Sequence, residues 1–186
     1  LTKVLEEEML NPFQIQYGIS GCCLRAPWIM EKDDFKHVLK FDDTQFGGPA
    51  WTDYMPRAQA EKYAAEGVVP MMLDVDDTPL LRNFVHVSDL VGAILAALGN
   101  PAAHQQLFNI SMTEPVNYAD VAKHLKDTQG LASVPVPTPH FSNKLDNMKA
   151  RQVLDWSPQY DLPRLIDEAW AYQRAPDDPR VVWYPG

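Results

Sequence analysis

The chain has 186 residues, enough to bury a sizeable core and ordinarily one domain. Hydrophobic residues make up 46 % and charged residues 22 %, a globular balance with no apolar run of bilayer-spanning length and no charged-then-apolar leader. The formal charge is −9 and Lys and Arg do not cluster, which argues against nucleic acid but leaves room for a local arginine that holds a phosphorylated small molecule.

Residues Leu1 to Leu10 read as helix from the first position, with Val4, Leu5, Met9 and Leu10 roughly on one face. No Ser, Thr, Asp or Asn precedes them as a cap, and there is no initiator Met. Both features lead us to expect a chain that begins inside a helix, the C-terminal part of a larger α/β enzyme; a natural terminus frayed after processing is the alternative. The helix is expected to end near Asn11-Pro12, because proline removes a donor and disfavours helix before it. Lys3 and Glu7 stand four residues apart and by pattern alone are an ordinary surface pair.

Gly18 to Leu24 reads as a compact apolar strand, buried on both faces and ending at Arg25-Ala26-Pro27-Trp28. The ends of parallel strands are where α/β sheets hold ligands. The two cysteines, Cys22 and Cys23, are neighbours within that run. Adjacent cysteines rarely pair, so they read as inert core thiols in a protein of the reducing cytoplasm.

Residues 31–54 are mixed, and Gly47-Gly48-Pro49 with Phe46, Trp51 and Tyr54 suggests a loop packed against something. Pro56 to Glu66 predicts a helix stopped by Gly67, and Val68 to Leu73 a strand. Asp74 to Pro79 is a turn and Arg82 to Val87 a second strand. Ser88 is expected to cap an apolar helix from Asp89 to Leu98, ended by Gly99-Asn100-Pro101. Leu107 to Ile110 is a short strand, Asn117 caps a helix to about Thr128, and Val134 to Pro137 is extended. Helices over 143–155 and 163–174 precede an extended, proline-rich tail over 175–186. Strands alternating with helices argue for α/β or α+β. No glycine-rich dinucleotide fingerprint occurs, so the first half of any nucleotide fold lies outside this chain.

Most sites that chemistry could use fail on spacing. Asp74, Asp76 and Asp77 would suit calcium, but Pro79 and Val85 stand where an EF-hand needs Gly and Glu. None of the five histidines has a partner at metal-ligand spacing, and His86, between Val85 and Val87, reads as a structural hydrogen-bonding residue. There is no Gly-x-Ser-x-Gly elbow. Arg82, at the start of an apolar strand, can hold a phosphate with its planar fork, though on pattern alone a surface ion pair is the better reading.

Several stretches taken together change that weighting. Arg82-Asn83-Phe84-Val85-His86-Val87-Ser88-Asp89-Leu90 resembles the Arg-Asp-Phe-Val-His-Val-Asp-Asp-Leu of the extended short-chain dehydrogenase/reductase superfamily, the NAD-dependent nucleotide-sugar epimerases and dehydratases. Leu107-Phe108-Asn109-Ile110 is similar to its Phe-Asn-Ile-Gly strand, and Leu24-Arg25-Ala26-Pro27 to its strand end Leu-Arg-Pro-Pro. Asp146-Asn147-Met148-Lys149-Ala150-Arg151, then Val153-Leu154-Asp155-Trp156-Ser157-Pro158, resemble its Asp-x-x-Lys-Ala-x-x-x-Leu-Gly-Trp-x-Pro. Order and spacing fit along nearly the whole chain.

The resemblance implies the C-terminal remainder of a Rossmann-type parallel sheet in residues 1–30, and in 31–186 a smaller α/β substrate-binding region whose interleaved elements return to that sheet. It implies a parent enzyme that binds NAD or NADP and a nucleotide sugar, forms a homodimer, and has a missing N-terminal half. Lys3 matches the lysine of the catalytic Tyr-x-x-x-Lys helix and Glu7 the glutamate that often follows it; the tyrosine falls two positions before Leu1. Lys3 would hydrogen-bond the nicotinamide ribose and lower the tyrosine pKa. Pro27 would lie near the nicotinamide, Arg82 on the substrate diphosphate and Phe84 near that ligand. Trp28 and the loop from Gly47 to Tyr54 would shape the sugar pocket. Ala26, Ser88, Met148 and Asp155 depart from the family pattern, which bears on the substrate more than on the fold. Without the glycine turn and the tyrosine, the chain alone is expected to be inactive. The alternative is a stand-alone, non-catalytic module that binds a nucleotide sugar or a protein.

Overall fold

The computed structural model describes residues 2–41 and 50–178. Its helices and strands, in chain order, are α1 (Thr2–Tyr17), β1 (Cys23–Arg25), β2 (Trp28–Met30), α2 (Asp34–Val38), α3 (Arg57–Glu66), β3 (Val69–Leu73), β4 (Leu81–Arg82), β5 (Phe84–His86), α4 (Val87–Ala97), β6 (Leu107–Asn109), β7 (Val116–Asn117), α5 (Tyr118–Gln129), β8 (Ser133–Pro137), α6 (Met148–Leu154) and α7 (Leu162–Ala171). The loop glycines 47 and 48, Phe46, Pro49 and the tail beyond residue 178 lie outside the described residues. The chain forms two compact units, one from residues 1–29, 83–113 and 145–160, the other from 30–82, 114–144 and 161–186.

In the first unit β1 pairs parallel with β6, in the register Cys23↔Leu107 to Arg25↔Asn109. The strand is shorter than expected, and Cys23 and Leu24 are half-buried and Arg25 exposed rather than enclosed on both faces. Burial still raises the pKa of both Cys22 and Cys23, in keeping with unreactive thiols. The first helix does not stop at Pro12. It runs on to Tyr17, where Gly18, at φ +63°, ends it by donating its N–H to the Gln14 carbonyl at 2.9 Å. An interior proline costs about 3 kcal/mol. Here the turn beyond it is pinned by Gln14, which is buried and donates to the Gly21 carbonyl at 2.7 Å.

The expected strand from Arg82 to Val87 breaks at Asn83. Leu81 and Arg82 pair antiparallel with Asn117 and Val116, whereas β5 joins β2. Asn83 is buried, and its side chain accepts from the Leu145 N–H at 2.9 Å, an arrangement that takes it out of either ladder. The cap of α4 is His86 rather than Ser88. Its Nδ1 accepts from the Ser88 N–H at 3.2 Å, and its ring stacks on Tyr160 at 3.7 Å between centroids.

The core of this unit contains Val85, Ala93, Phe108, Ile110, Ala150, Leu154 and Trp156. At its centre is a buried carboxylate. Asp89 accepts from the Gln159 N–H at 2.9 Å and the Tyr160 N–H at 3.1 Å, while its backbone carbonyl accepts from Trp156 Nε1 at 3.0 Å. The segment after α6 is thereby tied to α4. Asp155, at φ +52°, takes the left-handed position that ends α6, a place glycine fills without strain.

In the second unit β3 pairs parallel with β8 over five residues, Val69↔Ser133 to Leu73↔Pro137. Helix α5 packs on β3 and on α7, and α7 packs on α2. Phe35, Leu39, Trp51, Met72, Leu80, Val121, Leu125 and Ile166 are buried here. Trp51 Nε1 donates to the Lys40 carbonyl at 2.7 Å. The ladder enters with Val69 N–H on the Ala132 carbonyl and leaves with Thr138 N–H on the Leu73 carbonyl. By the two-residue period of a strand, Pro135 and Pro137 fall on the side of β8 that faces away from β3. No described helix is long and apolar enough to cross a membrane.

Two substitutions on α4 should move stability in opposite directions. Asp89→Ala leaves two backbone donors without acceptors and is expected to cost about 2–4 kcal/mol. At Gly92 an added Cβ would meet only the Trp156 ring, at 3.6 and 3.8 Å, which is ordinary contact. Gly92→Ala is therefore expected to stabilise by about 0.5–1 kcal/mol through helix propensity. Urea unfolding midpoints check both, and a lowered midpoint for Gly92→Ala would contradict the packing described.

Candidate functional site

Arg82 stands at the end of β4 in the second unit, opposite Val116 in the antiparallel pair with β7. Two residues past Val116, the fully buried Tyr118 hydroxyl is hydrogen-bonded to the Arg82 side chain. Burial pushes the Tyr118 phenol above its ordinary pKa, and the guanidinium pulls the other way. Arg82 also lines a cavity of about 340 Å³ with Leu80, Leu81, His140, Phe141 and Asn143. The His140 Nε2 lies 3.1 Å from the Tyr54 hydroxyl, and the two rings meet edge-on with centroids 6.0 Å apart. Burial, and then the Arg82 charge, hold the His140 imidazole below its usual pKa.

The loop that carries His140 is fastened to the strands on both sides. Thr138 donates its N–H and its hydroxyl to the Leu73 carbonyl at 3.1 and 2.8 Å, and the His140 carbonyl accepts from the Val75 N–H at 3.0 Å. Ser142 bridges further. Its hydroxyl donates to the buried Asp74 carboxylate at 2.6 Å and accepts from the Leu81 N–H at 3.0 Å. Asp74 also takes hydrogen bonds from the Asp76 and Thr78 N–H groups and from the Thr78 hydroxyl, each at 3.1 Å. The Ser142 hydrogen bond is the chief reason that Asp74 titrates below the ordinary carboxylate range, against the opposing effect of burial. The acidic turn is thus a brace built around the buried Asp74. Among the described residues no cluster of His, Cys, Asp and Glu could hold a metal ion.

Lys3, Pro27 and Phe84 belong to the first unit. The Lys3 side chain is 85 % exposed and pairs at 2.9 Å with Glu6, not with Glu7 as its spacing suggested. Glu7 is held instead by Arg25 through two hydrogen bonds of 2.7 and 2.6 Å. The planar guanidinium gives each carboxylate oxygen its own N–H donor, and it keeps the Glu7 carboxyl below its usual pKa. Pro27 lies half-buried between β1 and β2, followed by Trp28, whose ring meets that of the buried Phe84 edge-on at 6.1 Å.

The second-unit cluster therefore offers a guanidinium and an imidazole on a small cavity, each backed by a phenol, a set suited to binding an anion. Sequence reading picked out Arg82 and named Tyr54 only as the end of a pocket-shaping loop; it did not find Tyr118 or His140. The one available signal for Tyr118 is its place just after a strand that turns out to pair with Arg82.

No family model matches the chain. A stretch of 103 residues, 46 % of this chain and 27 % of the relative, is 30 % identical to chloroplast stem-loop binding protein of 41 kDa b from Arabidopsis thaliana. The fold is matched by solved structures. A short-chain dehydrogenase/reductase superfamily protein from Agrobacterium tumefaciens with bound NAD aligns at a TM-score of 0.73 and 21 % identity, covering 90 % of this chain and 55 % of that one. For UDP-glucose 4-epimerase from Thermotoga maritima with UDP-glucose the values are 0.61 and 22 %, over 88 % and 48 % of the two chains. For UDP-glucuronic acid 4-epimerase from Bacillus cereus in complex with NAD they are 0.64 and 18 %, over 92 % and 49 %. The expected α/β class with parallel strand pairs is the fold these proteins share with the chain, which spans about half of their length.

The Asp74 brace predicts an acid dependence. Its carboxyl titrates lower in the folded chain than the ordinary value of 3.8. The unfolded chain therefore takes up the proton first as pH falls. The stabilisation is complete above about pH 4 and is lost progressively below it. Ser142→Ala should raise the folded pKa and shrink this acid-sensitive contribution. Thermal melts of both proteins between about pH 3 and 7 test it; identical pH dependence would contradict the assignment.

Proposed function

We propose that this chain is the substrate-binding part of an NAD(P)-dependent oxidoreductase that acts on a nucleotide-activated sugar, of the epimerase or dehydratase type. The observation that carries the reading is Arg82, buttressed by the buried Tyr118 and opening on a cavity that His140 also lines. A guanidinium fixed in this way suits the diphosphate of a sugar nucleotide, and an overall charge of −9 makes such a local cation the natural anion site. The likeness to epimerases solved with UDP-glucose or NAD supports the same assignment.

The residues present fit only the nicotinamide end of the cofactor. The Lys3 ammonium is exposed on the first turn of α1 and can donate to a ribose hydroxyl, and Pro27 follows a parallel strand end, where such ligands bind. When bound, the nicotinamide would accept or return a hydride at the sugar. Lys3 would hold the ribose and favour the ionised form of the tyrosine in the parent enzyme. Phe84, behind Trp28, would border the substrate. The glycine-rich cofactor turn and the tyrosine would come from the other half of the protein, and the whole enzyme would be a homodimer. A non-catalytic module that binds a nucleotide sugar or a protein is the rival, and the Arabidopsis relative, by name a stem-loop binding protein, adds one concrete form of it.

Calorimetric titration of the chain with UDP-glucose tests the assignment. Binding is expected, with Arg82→Ala weakening it about tenfold to a hundredfold, the size of a lost charged hydrogen bond. Hydride transfer by the chain alone, followed as NADH absorbance, should be negligible. Binding of a stem-loop RNA, with no response to UDP-glucose, would overturn the reading in favour of the rival.

A further inference from the structure

We infer that His140 is a second anion-binding residue beside Arg82, and that it acts in its protonated form, so that the site holds a diphosphate ester more tightly as the pH falls below neutrality. This rests on the reading of Arg82 given above.

Both side chains line one cavity of about 340 Å³. The His140 backbone is fixed relative to β3 and β4 by the Thr138, Val75 and Ser142 hydrogen bonds, so the imidazole is held on a braced loop. Among the described residues Tyr54 is the ring's one hydrogen-bond partner. A phenol hydroxyl both donates and accepts. With the ring neutral the hydroxyl donates to Nε2, and with the ring protonated Nε2 donates to the phenol oxygen. His140 can therefore take a charge without giving up its contact.

Among the described residues no carboxylate bonds the ring to compensate that charge. Arg82 is a like charge. Tyr54 and Tyr118 are neutral in this range; burial and then the Asp53 charge push the Tyr54 phenol up, and burial does the same to Tyr118. Asp74, in the turn that meets the His140 carbonyl, is committed to Ser142, Thr78 and the Asp76 N–H, while Asp76 and Asp77 are exposed. Burial, and then the Arg82 charge, hold the imidazole below its usual pKa. A bound diphosphate supplies the missing negative charge. Ligand then favours the proton and the proton favours the ligand, by the same factor.

UDP-glucose is the suitable probe, because its diphosphate does not change ionisation between about pH 5.5 and 8. Calorimetric titration of the full chain should show affinity rising about tenfold over that fall in pH, a coupling of ordinary size for two linked sites. His140→Gln should bind with a flat profile close to the pH 8 affinity of the unmodified chain. Should that variant fold poorly, the imidazole proton resonance of His140 in the unmodified chain gives the same answer, with its titration midpoint moving upward when UDP-glucose saturates the site. Binding that is flat with pH, or a slope that survives in His140→Gln, overturns the role of His140 and leaves the Arg82 reading standing. Absence of UDP-glucose binding at every pH removes both.

Discussion

A carboxylate taken out of water must be given donors, and two such groups organise this chain. Asp89 in the first unit and Asp74 in the second are both buried, 4 % and 6 % exposed. Neither is neutralised by a lysine or arginine in the contacts that hold it. Each gathers backbone N–H groups, Asp89 those of Gln159 and Tyr160, Asp74 those of Asp76 and Thr78. A carboxylate left with too few donors would cost several kcal/mol, so the segments that supply them are held in place. Asp89 thereby fixes the chain that follows α6, and Asp74, through Ser142, fixes the loop that presents His140.

Elements whose signals are local were legible in the sequence. Arg57–Glu66 has a proline before it and Gly67 after it, and the structure places that glycine at φ +64° in the left-handed stop. Val69–Leu73 is a short apolar run after a glycine stop, and Asn117 caps α5 through its side chain, as its residue type suggests. What the sequence hid depends on partners far along the chain. The break at Asn83 exists because two different strands claim the residues on either side. Pro12 sits inside a helix because Gln14 and Gly21 secure the turn beyond it. Strand β2 is three residues long and has meaning only beside β5.

The candidate site divides in the same way. Arg82 was singled out by a motif rather than by pattern, since an arginine among many acids reads first as an ion pair. Tyr54, Tyr118 and His140 come from a short turn, the start of a helix and a loop, with no common spacing. The pairing of β4 with β7 sets Tyr118 against Arg82, and the anchoring of the loop on Asp74 holds His140 on the cavity that Arg82 lines. The correction at Glu7 teaches a related lesson. Helical spacing nominated Lys3 as its partner, but geometry favoured the arginine fork offered by the next strand.

The two prolines on the outer side of β8 have a consequence for how this protein behaves among its own copies. An unpaired strand border normally presents a row of donors and acceptors on which a stray strand can template. At Pro135 and Pro137 the outward donors do not exist, and each ring projects where an incoming backbone would have to lie. That border accepts no orderly extension, so growth of a fibrillar stack from this sheet is blocked at the point where its ladder is longest.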